Sequence, residues 1–241
     1  MLNKLASLAA FPHKRVLVVA PHPDDESLGC GGLVATLALT GTAFCFVFVT
    51  DGGASHVGSP TWSRERLAAR RRDEAVEALR RLTVEDADIT FLALPDSAMP
   101  VRGSPEWDKS VAQVAGIITE FNPALALLPW RRDPHCDHRA SWRLAKDGLK
   151  LADAHAKTLE YPIWLDEFGE EKDRPRDDEA RPVVFDVAAV LEAKRAAIAA
   201  HLTQTTALID DDPNGFRLTK GVIERLATPT ETYWQAIDEA D

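Results

Sequence analysis

Val16-Leu17-Val18-Val19-Ala20 is an apolar, mostly β-branched run that stops abruptly at Pro21-His22-Pro23-Asp24-Asp25-Glu26-Ser27-Leu28-Gly29. A run of this kind, bounded by proline and glycine, predicts a parallel strand covered on both faces. Its polar payload then sits at the carboxyl edge of the strand, where open α/β sheets bind ligands. His22 and Asp25 are three residues apart on a turn that Pro21 and Pro23 stiffen, so both side chains can point to one place. An imidazole with a carboxylate suits zinc and related divalent ions. The alternative is a loop whose aspartates cap the next helix.

A second loop of the same kind lies more than a hundred residues on. Leu125-Ala126-Leu127-Leu128-Pro129-Trp130 is apolar and is followed by Arg131-Arg132-Asp133-Pro134-His135-Cys136-Asp137-His138-Arg139. Two such loops on parallel strands of one sheet face the same crevice, which raises a metal site above either motif alone. Cys136 reads as a small buried residue beside the loop, with a thiolate contact to metal as the alternative.

Strand and helix alternate along the rest. The pattern predicts helices over 33–40, 64–82, 106–121, 138–155 and 188–201, and strands over 43–50, 89–94, 158–164 and 182–187. A short helix precedes the first strand. Residues 166–181 read as an exposed, charged loop, and the tail from Asp210 as loop plus helix. This order implies an α/β fold with a doubly wound, mostly parallel, Rossmann-like sheet in a single domain. The core spans about 15–205, and 206–241 form an extension.

Two hundred and forty-one residues with 45% hydrophobic content suffice for that core. The formal charge of -10 does not indicate a basic phosphate-binding surface, so nucleic acid is not an expected partner. Three cysteines without paired spacing point to reduced thiols and a cytoplasmic location. No apolar stretch is long enough to span a membrane. Self-association is left open.

Pro21-His22-Pro23-Asp24-Asp25-Glu26 with Gly29 resembles the first motif of the LmbE-like, or PIG-L, N-acetylglucosaminyl deacetylases, and His135-Cys136-Asp137-His138 resembles the second. Thr50-Asp51-Gly52, Arg71 with Glu74, Leu94-Pro95-Asp96, and Lys194 with His201 and Gln204 are supporting matches. Cys136 stands where that family often has proline. The resemblance covers about residues 15–205. It implies a catalytic zinc, with ferrous iron as the alternative ion, and hydrolysis of an acetamide on an amino-sugar conjugate. Carried over by position, His22, Asp25 and His138 are the metal ligands and Asp24 is the base. His135 supports the oxyanion, and Asp137 orients His135 and keeps it cationic. Arg71 and Asp96 are candidate substrate contacts. Arg71 also fits a surface ion pair, and Asp51 a turn. His201 reads as a hydrogen-bonded structural histidine, while His13, His56 and His155 have no assigned role.

Three rivals remain at this level. Gly29-Cys30-Gly31-Gly32 after the first strand, with Asp51 ending the second, fits a dinucleotide-binding oxidoreductase in part, although Val34 fills the third glycine position. His and Asp clusters also serve two-metal phosphoesterases. A sugar-binding module that has kept the fold is the third, but it needs neither Asp24 nor His135.

Overall fold

The computed structural model describes residues 5–237. In chain order the elements are β1 (Arg15–Ala20), α1 (Asp25–Ala38), β2 (Ala43–Thr50), α2 (Arg64–Arg81), β3 (Asp88–Leu94), α3 (Pro105–Phe121), β4 (Leu125–Pro129) and α4 (Cys136–Leu151). Then come β5 (Lys157–Tyr161), α5 (Leu165–Phe168), β6 (Ala180–Asp186), α6 (Leu191–Ala200), α7 (Leu202–Thr205), α8 (Lys220–Leu226) and β7 (Thr230–Ala236). One seven-stranded sheet runs β3-β2-β1-β4-β5-β7-β6. The first five strands are parallel, and β7 is antiparallel to both its neighbours.

Side-chain alternation along β1 divides the core. Val16, Val18 and Ala20 face one side with Phe46, Phe48, Leu33, Leu79 and Ile198, so α1, α2 and α6 cover it. Leu17 and Val19 face the other with Val47, Val49, Val114, Ile118 and Leu144, under α3 and α4. Each such side chain contributes about 1.5–3 kcal/mol by leaving water. Both faces are thereby closed, as the unbroken apolar runs of β1 and β2 require.

Local signals set the helix ends. The Ser63 and Ser104 side chains accept from the Arg66 and Trp107 amides at the starts of α2 and α3, and Pro105 occupies the first turn of α3. The expected helix over 33–40 begins eight residues earlier, at Asp25. Nearly every α1 residue is buried, so no polar stripe betrays the helix. Its glycines serve close packing. A Cβ on Gly29 would lie 2.2 Å from the Tyr161 ring, and one on Gly32 would lie 2.8 Å from Val187. Glycines committed inside a helix do not form a phosphate-cradling turn, which removes the dinucleotide reading.

Other differences are at boundaries. β5 ends at Tyr161, three residues short of the expected strand end, and α5 runs into the segment expected as loop from residue 166. The charged 166–181 segment contains a 3-10 turn at Glu171–Asp173. At the N-terminus a 3-10 turn over Leu8–Ala10 stands for the expected helix, whose first four residues lie outside the described ones. The largest correction is β7, which lies inside the sheet where loop plus helix was expected. No helix among the described residues is long and apolar enough to cross a membrane.

Candidate active site

β1 and β4 are hydrogen-bonded neighbours, with Val18 opposite Leu127, so the loops that leave them open side by side. His22 lies in the first loop, and Asp25 begins α1. His135, at the N-cap of α4, and His138 in its first turn come from the second. Centroids of the His22, His135 and His138 rings lie 4.8–5.4 Å apart.

Asp25 stands at the centre. Its Oδ2 lies 3.2 Å from His22 Nδ1 and 3.2 Å from His138 Nε2. It also accepts the His22 backbone N–H at 2.9 Å, so the carboxylate staples the loop instead of capping the helix. Two donors at bond lengths near 2.1 Å from a tetrahedral ion sit about 3.4 Å apart, and both Asp25 spacings are close to that. Both His138 ring nitrogens are buried and make no hydrogen bond. The side chains expected as ligands are therefore brought together, around buried nitrogen atoms that suit a cation.

Carboxylates back each imidazole. His22 Nε2 faces Asp137 Oδ2 at 3.2 Å and Asp96 Oδ1 at 3.4 Å. His138 Nδ1 faces Asp133 Oδ1 at 3.4 Å. This is the carboxylate–histidine pairing that fixes the orientation of metal-binding imidazoles. Burial opposes charge on His22, yet Asp137, Asp25 and Asp96 hold its pKa well above the usual histidine value. Against the same burial, Asp25 and Asp133 push His138 up to about 9. Asp25 itself is held far below the usual carboxylate range, because His138 and His22 outweigh its burial. Four carboxylates thus surround two imidazoles, and the surplus negative charge favours a cation.

Asp24 has φ 145° and ψ -26°, a conformation few residues other than glycine adopt. Two groups over-determine it. Glu26 Oε2 accepts the Asp24 amide at 2.9 Å, and Arg71 Nη2 donates to Asp24 Oδ2 at 3.0 Å. Burial pushes the Asp24 carboxyl up to about 6, against the pull of Arg71. Arg71, expected to reach substrate, is buried; its Nη1 and Nη2 donate to the Gly52 carbonyl, the Pro23 carbonyl and Asp24, while its Nε has no hydrogen-bond partner. Asp96 is engaged likewise: it accepts from the Ala54 amide and the Ser97 hydroxyl. Asp51 pairs with Arg64 and accepts the Gly53 amide, so it forms a turn.

Two expectations about the second loop change. Asp137 does not orient His135 through its carboxylate, which turns to His22 and to the Ser97 amide. It is the Asp137 backbone N–H that donates to His135 Nδ1, at 3.2 Å. An accepting Nδ1 leaves the proton of the neutral ring on Nε2. Burial, then the neighbouring His22 and His138, hold His135 down at about 4, so it is neutral, not cationic. Cys136 is exposed, not buried; its Sγ lies 3.6 Å from Asp137 Oδ1.

Sequence reasoning missed Asp133 and Glu26. Asp133 is fully buried; besides facing His138 it accepts the His135, Ile163 and Trp164 amides. The only sequence signal was its place in the Arg131–Pro134 segment, two residues before His135. Glu26 was quoted within the motif without a role. His201 Nε2 lies 2.9 Å from Glu26 Oε1, which makes it the structural histidine expected.

His22, Asp24, Asp25 and His135 line a cavity of about 520 Å³. Residues 17–148 match the GlcNAc-PI de-N-acetylase family, PIG-L. The chain belongs to that family. A 1D-myo-inositol 2-acetamido-2-deoxy-alpha-D-glucopyranoside deacetylase from a Mycobacterium species (strain JLS) is 30% identical, over 83% of this chain and 76% of that protein. A probable N-acetyl-alpha-D-glucosaminyl L-malate deacetylase 2 from Bacillus cereus is 24% identical, over 82% and 87%. Among solved structures, N,N'-diacetylchitobiose deacetylase from Pyrococcus horikoshii superposes with a TM-score of 0.61 at 23% identity, covering 78% of this chain and 70% of that one, a likeness of fold. With these PIG-L relatives, the chain is an N-deacetylase, an enzyme that cleaves amide-linked acetyl groups.

Proposed function

We propose that this PIG-L enzyme hydrolyses the acetamide of an N-acetylated amino-sugar conjugate, using a divalent ion, zinc foremost, held by His22, Asp25 and His138. The observation that carries the reading is Asp25 Oδ2, 3.2 Å from His22 Nδ1 and 3.2 Å from the buried His138 Nε2, with His22, Asp25 and the adjacent Asp24 lining the cavity. When bound, such an ion lowers the pKa of a coordinated water towards about 7 and polarises a carbonyl.

The protein's own groups do the rest. Asp24 Oδ2 is held by Arg71, and Oδ1 is the oxygen we assign to proton transfer. It accepts the proton of the attacking water as the C–O bond forms. It then delivers that proton to the sugar nitrogen as the C–N bond breaks, giving acetate and a free amine. Arg71 and Glu26 keep Asp24 in its uncommon backbone conformation, ready for that transfer. His135, neutral and with its proton on Nε2, donates to the acetyl oxygen as negative charge gathers there. Removing one such donor commonly raises the barrier by about 2.7–4 kcal/mol. Asp137 and Asp96 hold His22, and Asp133 holds His138. Three free thiols suit a reducing, cytoplasmic setting.

The test is acetate and amine release from a panel of N-acetylamino-sugar conjugates with zinc present. Turnover that requires the metal and collapses in Asp24→Asn, while that variant still binds about one zinc per chain as a three-donor site would, supports the assignment. Full turnover in Asp24→Asn removes it as base, and unchanged metal content in His138→Ala removes that residue as ligand.

A further inference from the structure

The same cavity has an aromatic part to its lining. Trp164, Phe168 and Phe216 form it, from the segment after β5, from α5, and from the loop before α8. Phe168 stacks on Trp164 at 5.6 Å and 29°, and Phe216 meets it edge-on at 5.8 Å and 84°, so the three rings make a corner. Phe168 is 65% exposed and Phe216 40%, large apolar surfaces that no protein group covers. The corner is tied to the chemistry. Asp133, which faces His138, accepts the Trp164 amide, and the Phe216 amide donates to the Ser55 carbonyl at 2.7 Å. All three aromatics lie outside residues 17–148, the part matched to the family.

Charge points the same way. Arg71 is the only lysine or arginine lining the cavity among the described residues, and its hydrogen bonds go to Asp24 and two carbonyls. Arg217 follows Phe216 but does not line it. Asp24, Asp25 and Asp96 do. Gln204, buried in the same lining, leaves its Oε1 without a hydrogen-bond partner and so offers an acceptor, not a cation.

We infer that the Trp164–Phe168–Phe216 corner is the aglycone subsite, which receives the apolar face of a neutral ring carried by the N-acetylated sugar and disfavours aglycones bearing carboxylate or phosphate. The inference rests on the deacetylase reading and adds the class of conjugate. Aromatic rings present flat apolar faces to such a corner, and pyranose rings present their C–H faces; both bury area there at little entropic cost, since aromatic walls have few rotamers to fix.

The test compares kcat/KM of the zinc-loaded enzyme on the methyl and phenyl glycosides of N-acetylglucosamine, on its disaccharide with a second N-acetylglucosamine, and on its 1-phosphate. The phenyl glycoside, the disaccharide or both should exceed the methyl glycoside by about tenfold, the scale of one buried ring contact, and the phosphate should fall below it. Phenyl above disaccharide assigns an aromatic aglycone, and the reverse a sugar. Phe168→Ala with Phe216→Ala, both exposed and so compatible with folding, should bring the ring-to-methyl ratio towards one. The same variant should weaken calorimetric binding of the phenyl glycoside. Equal rates on all glycosides, a preference for the phosphate, or a preference for N-butyryl over N-acetyl that the variant abolishes would each overturn the inference. If no glycoside turns over but the variant still weakens phenyl glycoside binding, the deacetylase reading fails and the subsite stands. If none binds, both fall.

Discussion

On β1 and β2 every residue after the first is buried, and the strands are almost wholly apolar, whereas β7 alternates and turns Glu231, Tyr233 and Gln235 inward. β1 and β2 hold by packing and carry their charged groups at or beyond their ends. The β7 edge holds by a buried polar network. Glu231 Oε1 takes Lys194 Nζ at 2.6 Å and the Gly32 amide at 2.7 Å; Oε2 takes the Leu33 amide and the Tyr233 hydroxyl, each at 2.8 Å. Chemistry and stability are therefore charged to different ends of one sheet. Asp24, beyond the end of β1, lines the cavity, while Glu231, inside the sheet, is committed to the fold.

Substitutions at the two ends should fail in different ways. The largest expected effect is on rate. Asp24→Asn should lower kcat by about 10²–10⁴-fold, the range of a lost general base, with a melting temperature close to wild type. A matching loss of stability would erase the distinction. Next, Glu231→Ala should cost about 3–5 kcal/mol in urea unfolding, because it strands Lys194 as an unpaired buried charge. Activity per folded molecule should persist. Replacing both partners, Glu231→Leu with Lys194→Met, should recover much of that stability; a double variant as weak as the single one would show that the helix amides, not the charge, dominate.

Metal removal should have an intermediate effect. At a free zinc concentration about a hundred times Kd, binding to the folded state alone adds about 2.7 kcal/mol. A chelator should lower the melting temperature accordingly and should leave His138→Ala unmoved. The smallest effect concerns the thiols. Burial pushes Cys45 up to about 12 and Cys30 well above the ordinary thiol value, while Cys136 is exposed. A thiol reagent should add one label to the folded chain and three after unfolding, counted by mass spectrometry, with little change in stability.

The same contrast decided what the sequence could show. Buried parallel strands announce themselves as apolar runs, and His22, Asp25, His135 and His138 were visible because each follows such a run. Asp133 was not assigned, because its partners, His138 and the Trp164 amide, are set by how the loop folds back. Arg71 could be located but not aimed: its turn towards Asp24 depends on helix packing. The start of α1 was lost because a helix buried all round has no periodic stripe. β7 was lost for a related reason: its inward residues are charged or polar, so a period of two apolar residues never appears. Trp164 and Phe216 lie fifty-two residues apart and meet only once the chain has folded.

The order β5-β7-β6 also governs the sequence of events during synthesis. A growing chain releases β6 some fifty residues before β7. Until β7 slides in between, β6 lacks its ladder, and Lys194 has no counter-charge. The five parallel strands are free to assemble while translation continues; closing the sheet must wait for a segment that arrives late and enters the interior, so a ribosome stalled near Leu226 should display a protease-sensitive intermediate.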